Sequence, residues 1–169
     1  MYKSISCGDL RAAHVGQTVT LAGWVHRRRD HGGVAFLDLR DRAGVVQVVA
    51  NPETSPQAHA PAEAARPEWV LQVEGVVRRR PAGMENAHLP TGEVEVEARS
   101  VRVLNAARTP PFPINEETDV EEMTRLKYRY LDLRRERMRG NIELRYRMVK
   151  FIRDYLDARG FWEIETPIL

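Results

Sequence analysis

An all-β barrel of five short strands, followed by a helical tail, is the fold class that this 169-residue chain predicts. Three observations carry it. Apolar and polar residues alternate in five short runs before residue 106, the proline-dense TPPFP segment then stops that pattern, and a run of helical period with a broad apolar stripe follows from Asn141.

Taken in order, Asp9 to His14 reads as a short helical turn closed near Gly16. Val19, Leu21, Gly23 and Val25 then alternate with polar or small residues as the first strand, and Gly23 is a place where a bulge could reset parity before the arginines. His31, Gly32 and Gly33 turn the chain into a second strand, Val34 to Arg40, with Ala35, Leu37 and Leu39 on one face and Phe36, Asp38 and Arg40 on the other. After the Asp41 to Gly44 turn, Val45 to Ala50 is apolar except for Gln47, as a well-buried barrel strand would be. Pro52 to Pro67 reads as a loop or short helix that connects strands rather than as a core element. Trp69, Leu71, Val73 and Val77 mark the fourth strand, interrupted by Arg78 to Arg80 and a turn-rich segment. In the fifth, Val94, Val96 and Ala98 point inward and Glu93, Glu95 and Glu97 outward. Five short strands with one longer connection between the third and fourth suggest an OB-fold barrel.

The prolines of TPPFP deny helix to the residues before them and place a boundary after residue 106. Thr118 to Lys127 reads as a helix capped by Thr118 or Asp119, with glutamates in its first turn. From Asn141 to Arg159 one row of Leu144, Met148, Phe151 and Tyr155 lies beside another of Ile142, Val149, Ile152 and Leu156, and Gly160 is placed to end the helix before FWEIETPIL turns extended. So wide an apolar stripe needs more partner surface than the remaining residues supply, which reads as a piece of a longer protein.

Apolar residues make up 43% and charged residues 30% of the chain, a globular composition. No apolar run approaches bilayer length and the N-terminus lacks a signal-peptide core, so no membrane association is expected. A single cysteine, Cys7, fits a reducing cytoplasm and, with five scattered histidines, gives no metal-ligand set. The net charge of +2 is too small for bulk attraction to a polyanion. Any such surface must come from local clusters, of which Arg27 to Arg29 and Arg78 to Arg80 are two.

Within the first cluster, cations, an aromatic ring and a hydrogen-bonding amide fall close together, which suits an unstacked nucleic-acid strand. Arg27 and Arg29 are either a solvated charge run or phosphate partners. Phe36 sits on the polar face of its strand, so base stacking competes evenly with packing. Gln47 is either a satisfied buried amide or a base reader, because its amide both donates and accepts. Glu95 is either one of three solvated carboxylates or an acceptor for base amino and imino groups.

GWVHRRRDHGGVAFLDLRDRAGVVQVV, then TGEVEV, then RLKYRYLDLRR, then the helix leading into FWEIETPIL, together resemble the N-terminal part of bacterial aspartyl-tRNA synthetases over essentially the whole chain. RLKYRYLDLRR is shared with the asparaginyl and lysyl relatives, while GWVxRRRDxGG with TGEVEV favours the aspartyl branch. The resemblance implies an OB-fold anticodon-binding domain over 1–106, a linker and helical hinge over 107–140, and over 141–169 the first helix and strand of the α+β class II catalytic domain. It implies anticodon contacts at Arg27, Arg29, Phe36, Gln47 and Glu95. His31 and Gly83 stand at loop positions that in the family bear on whether tRNA-Asp alone or also tRNA-Asn is accepted, and this pairing matches the non-discriminating form. Phe151, Gly160 and Pro167 fall in motif 1, the family's homodimer element, although an ordinary amphipathic helix packing within one subunit has the same pattern.

The implied parent is an aspartate–tRNA ligase using ATP and magnesium, with catalytic motifs beyond Leu169. This stretch alone is therefore expected to be inactive and to hold no cofactor, catalytic residue or metal. Its expected partners are tRNA-Asp and tRNA-Asn, not DNA. From a different class, the same pattern would suit a stand-alone OB-fold binder of single strands with a dimerisation tail. The plainest alternative is a structural domain whose charges are merely solvated.

Overall fold

The structure, a computed structural model, describes residues 2–168, which fall into two compact units, one running to Pro110 and one from Pro111. In the first, two single-turn 3-10 helices, Cys7–Asp9 and Ala12–His14, lead into β1 (Thr18–His31), β2 (Val34–Arg40) and β3 (Val45–Ala50). α1 (Pro56–Ala64), β4 (Val70–Arg79) and β5 (Val94–Asn105) follow. The strands close into a barrel in the order β1-β2-β3-β5-β4, with β4 returning to β1 and β3 running parallel to β5. In this closed order each strand has two hydrogen-bonded neighbours.

Alternation fills the barrel as the sequence predicts. Leu21, Val25, Leu37, Leu39, Val48, Leu71, Val73 and Val96 are fully buried in one cluster, each such side chain contributing about 1.5–3 kcal/mol of transfer free energy. Asp41 clasps the N-terminal segment to the barrel, accepting from Lys3 Nζ at 2.8 Å and from the Cys7 backbone N–H at 2.9 Å. Burial of Cys7 pushes its thiol up to about 12, so it carries no thiolate at neutral pH.

Four expectations for this unit change. The bulge lies not at Gly23 but between Val25 and Arg27; Gly23 is instead a close approach, where a Cβ would collide with the Arg40 carbonyl oxygen. β4 is not broken at Arg78 but continues into its arginine run, to Arg79. The alanine-rich connection contains α1, opened by Pro56 at its first turn, and it belongs to the core: Ala58 and Ala62 of α1, and Ala65 just after it, are part of the buried cluster. Glu95 is buried rather than solvated.

The second unit contains α2 (Glu122–Lys127), α3 (Arg129–Asp132) and α4 (Glu136–Asp157). Neither Thr118 nor Asp119 caps α2, whose cap position is Glu121; the Thr118 carbonyl instead accepts from Arg135 Nη2, which holds that residue away from the helix start. Arg135 also meets Glu117 at 3.1 Å and lies over the Phe112 ring. Fully buried Asp132 gathers Arg125 and Arg129 at 3.1 and 3.0 Å. Hydrogen bonding from Arg125 holds its carboxyl below the usual range against the opposing effect of burial. α4 starts earlier than the period predicts, and its apolar rows stand exposed. Residues 161–168, read as a following strand, pair with no strand among the described residues. Leu169 lies outside them.

Candidate nucleic-acid interface

The site is built by strand register. Directly opposed residues on paired strands share a face. Arg29 opposes Phe36, Phe36 opposes Val49, and Val49 opposes Glu97, making one row across β1, β2, β3 and β5. The neighbouring row runs from Arg27 to Asp38 to Gln47, and on the β4–β5 side Arg78 opposes Glu95. Strict alternation from inward-facing Val25 would turn Arg27 and Arg29 toward the core. The bulge after Val25 inserts one residue and sends both to the outer face beside Phe36.

A polar chain ties this face together. Arg29 Nη2 donates to Asp38 Oδ1 at 2.8 Å and to Gln47 Oε1 at 3.3 Å. Gln47 Nε2 donates to Glu95 Oε2 at 2.7 Å, and Arg78 Nε donates to Glu95 Oε1 at 2.8 Å while its Nη1 lies 3.3 Å from Glu97. Gln47 and Glu95 are only 8% and 2% exposed, and the glutamine is a buried, hydrogen-bonded amide whose second N–H and second lone pair have no partner among the described residues. Phe36 is half-buried, with Val49 buried beside it.

Arg80, read from the sequence only as part of the Arg78 to Arg80 cluster, is close enough to Glu95, Asp38 and Arg29 to sense their charges. It is 8% exposed, donates through Nε to the Val94 carbonyl at 3.2 Å, and its Nη2 is buried without a hydrogen-bond partner. Burial pulls its guanidinium below the ordinary arginine range, with Glu95 and Asp38 acting in the opposite direction. A buried donor without a partner is costly unless something supplies an acceptor. Asp38 was missed, and Arg78 was read only as part of that cluster. The alternation in β2 already placed Asp38 beside Phe36; the position of Arg78 depends on the β4–β5 register, which no local pattern reveals.

His31 is exposed at the end of β1, where Gly32 and Gly33, with φ of 58° and 80°, form the two-residue turn that returns the chain to Val34. Gly83 is exposed in the β4–β5 loop with φ of 83° and open space where a Cβ would stand; its N–H donates to Glu85 Oε2 at 2.8 Å. Phe151, Gly160 and Pro167 belong to the second unit. Phe151 is exposed on α4 with its ring 6.1 Å from that of Tyr155, Gly160 follows α4 in the left-handed region, and Pro167 is exposed.

Among the described residues no helix is long and apolar enough to cross a membrane, and no group of three or more His, Cys, Asp or Glu could hold a metal ion.

Comparison with known proteins agrees with the geometry. The family model of the OB-fold nucleic acid binding domain matches residues 19–104, and that of class II tRNA synthetases (D, K and N) matches residues 121–169. The chain is 61% identical over 168 residues to an aspartate–tRNA(Asp/Asn) ligase of Rubrobacter xylanophilus and 59% identical over 169 residues to that of Moorella thermoacetica, covering 99% and 100% of this chain. It spans 28% of the length of each of these relatives. Among solved structures, asparaginyl-tRNA synthetase of Pyrococcus horikoshii complexed with asparaginyl-adenylate superposes with a TM-score of 0.81 at 25% identity, over 99% of this chain and 37% of that one. The chain thus belongs to the family of the tRNA anticodon OB-fold nucleic acid binding domain, which its barrel matches, followed by residues 121–169 that match class II tRNA synthetases (D, K and N).

Proposed function

We propose that this chain is the anticodon-reading part of an aspartate–tRNA ligase that charges both tRNA-Asp and tRNA-Asn. The observation that carries the reading is the cross-strand pair Arg29–Phe36 set beside the Gln47–Glu95 bond: a cation, a stacking ring and a base-edge donor and acceptor on one face. Arg27 and Arg29 neutralise phosphates, Phe36 stacks under an unpaired base, and the open capacity of Gln47 and Glu95 reads base edges. The unpartnered Nη2 of Arg80 supplies a further donor to a base or phosphate oxygen. His31 and Gly83 flank the strand from the two loops and leave the last anticodon base weakly discriminated.

The longer protein joins aspartate to ATP with release of pyrophosphate and passes the aspartyl group to the terminal adenosine of tRNA, as a cytoplasmic homodimer whose interface includes the exposed apolar face of α4. In that longer protein ATP would supply the driving force and magnesium would neutralise its phosphates.

Anticodon stem-loops carrying QUC and QUU, where Q is the modified wobble guanosine, are expected to bind this chain with similar affinity, and both more tightly than an unrelated single strand of equal length. Equal binding of the unrelated strand would leave only a general single-strand binder. Failure of the longer enzyme to aminoacylate a tRNA-Asn transcript would end the dual-substrate reading.

A further inference from the structure

On the outer face two cations are paired with carboxylates: Arg29 with Asp38 at 2.8 Å, and Arg78 with Glu95 and Glu97 at 2.8 and 3.3 Å. Asp38 differs from the other carboxylates in its position. It lies between Arg27 and Gln47 in the cross-strand row, so it occupies the middle of the surface that a strand must cover. Its side chain is only 15% exposed, against 50% for Arg29, so its charge is poorly screened by water. Only Oδ1 is engaged; Oδ2 accepts no hydrogen bond among the described residues.

We propose that Asp38 is a specificity-determining residue, an internal competitor that occupies Arg29 and repels phosphate until a strand with suitable base donors takes the face; this rests on the strand-binding role assigned above. A generic polyanion meets an arginine already neutralised and a carboxylate of its own sign directly below, and gains little from the encounter. A strand whose bases present amino or imino N–H groups gives Oδ2 a partner, and its phosphate takes up the Arg29 nitrogens that Asp38 leaves open. Selectivity then comes from a repulsive group that only the correct ligand satisfies, rather than from added attraction alone. Because the masking costs generic strands more than matched ones, it widens the gap between them without raising absolute affinity.

The test uses the 169-residue chain with Asp38→Asn, which keeps the side-chain shape and an acceptor for Arg29 while removing the charge. Asp30→Asn serves as a control with the same change in net charge. Affinities for oligouridine and for a QUC anticodon stem-loop are read by fluorescence anisotropy. Asp38→Asn should bind oligouridine about three- to tenfold more tightly than wild type, a larger gain than for Asp30→Asn, and the stem-loop-to-oligouridine ratio should fall by a similar factor. A gain no larger than that of Asp30→Asn, an equal gain for both ligands, or weaker binding of both would overturn the proposal. These outcomes are separate from the anticodon reading, which wild type decides by preferring or not preferring the stem-loop. If Asp38→Asn is poorly folded, ¹⁵N spectra of the Arg29 side chain in wild type serve instead. Saturating oligouridine should leave its resonance near the free position, whereas the stem-loop should shift it; equal shifts would sink the idea.

Discussion

Gln47 Nε2 lies 2.7 Å from Glu95 Oε2, and this bond crosses from β3 to β5, the parallel pair that closes the barrel. It therefore acts in two ways at once. It fixes an amide on the barrel's outer face, and it joins strands whose backbone register in this region comprises two residue pairs.

Glu95 also takes the Arg78 hydrogen bond, so Glu95→Ala orphans two donors on one face. Loss of buried, charge-assisted bonds of this kind should reduce stability by about 1–3 kcal/mol, as read from urea denaturation. Gln47→Ala should cost less, and the double variant should fall short of the sum of the two because they share the bond. Additivity within error would show the contact to be energetically idle.

Phe36→Ala should separate binding from folding. The ring is half-buried on the outer face, while the inward residues of β2 are Ala35, Leu37 and Leu39. Removing it should weaken anticodon stem-loop binding by roughly 1–3 kcal/mol, the usual contribution of one stacked base. Phe36→Tyr should restore most of that affinity. A variant that loses stability but retains affinity would reassign Phe36 to packing against Val49.

The barrel was legible in the sequence because its information is local. Leu37 and Leu39 against Phe36 and Asp38 state the faces of β2 without reference to any other strand. The site was legible only in its residue types. Whether Arg27 and Arg29 face outward depends on one extra residue after Val25, and nothing in Trp24, Val25 or His26 marks a bulge, whereas Gly23, which looked like one, is small because the Arg40 carbonyl approaches it. The burial of Glu95 was not legible for a related reason. Its alternation correctly set it on the outer face, but Gln47 and Arg78 cover it from β3 and β4, and such lateral cover is a property of register rather than of the strand's own sequence.

His26 should make stability depend on pH in the mildly acidic range. Burial, reinforced by the Arg40 guanidinium whose Nη1 lies 3.0 Å from His26 Nδ1, lowers its pKa below the ordinary 6.5; Asp38 and Glu68 act the other way and Arg27 adds to the lowering. The unfolded chain thus takes up this proton at a higher pH than the folded one. Stability is unaffected above about pH 6.5, falls as the pH drops from there to the lowered folded value, and is flat below it. His26→Asn keeps an acceptor for Arg40 without a titrating group. Relative to that variant, wild type should lose stability between pH 7 and pH 5 in urea denaturation; parallel curves would show that His26 titrates as it does when unfolded.

Gly83 allows backbone geometry and base selectivity to be told apart. Its φ of 83° lies where a side chain is strained, yet nothing stands within 4 Å of a Cβ built there, so space does not limit substitution in the free protein. Gly83→Ala should therefore cost about 1 kcal/mol of local strain and leave the QUC-to-QUU binding ratio near its wild-type value. Gly83→Lys bears the same strain but adds a long cationic donor able to reach the last anticodon base. If the proposed dual recognition depends on the absence of a discriminating group here, the lysine variant should favour QUC over QUU by several-fold while the alanine variant does not. A ratio changed equally by both would assign the effect to loop conformation, and a ratio changed by neither would move discrimination to His31, where His31→Leu becomes the next substitution to measure.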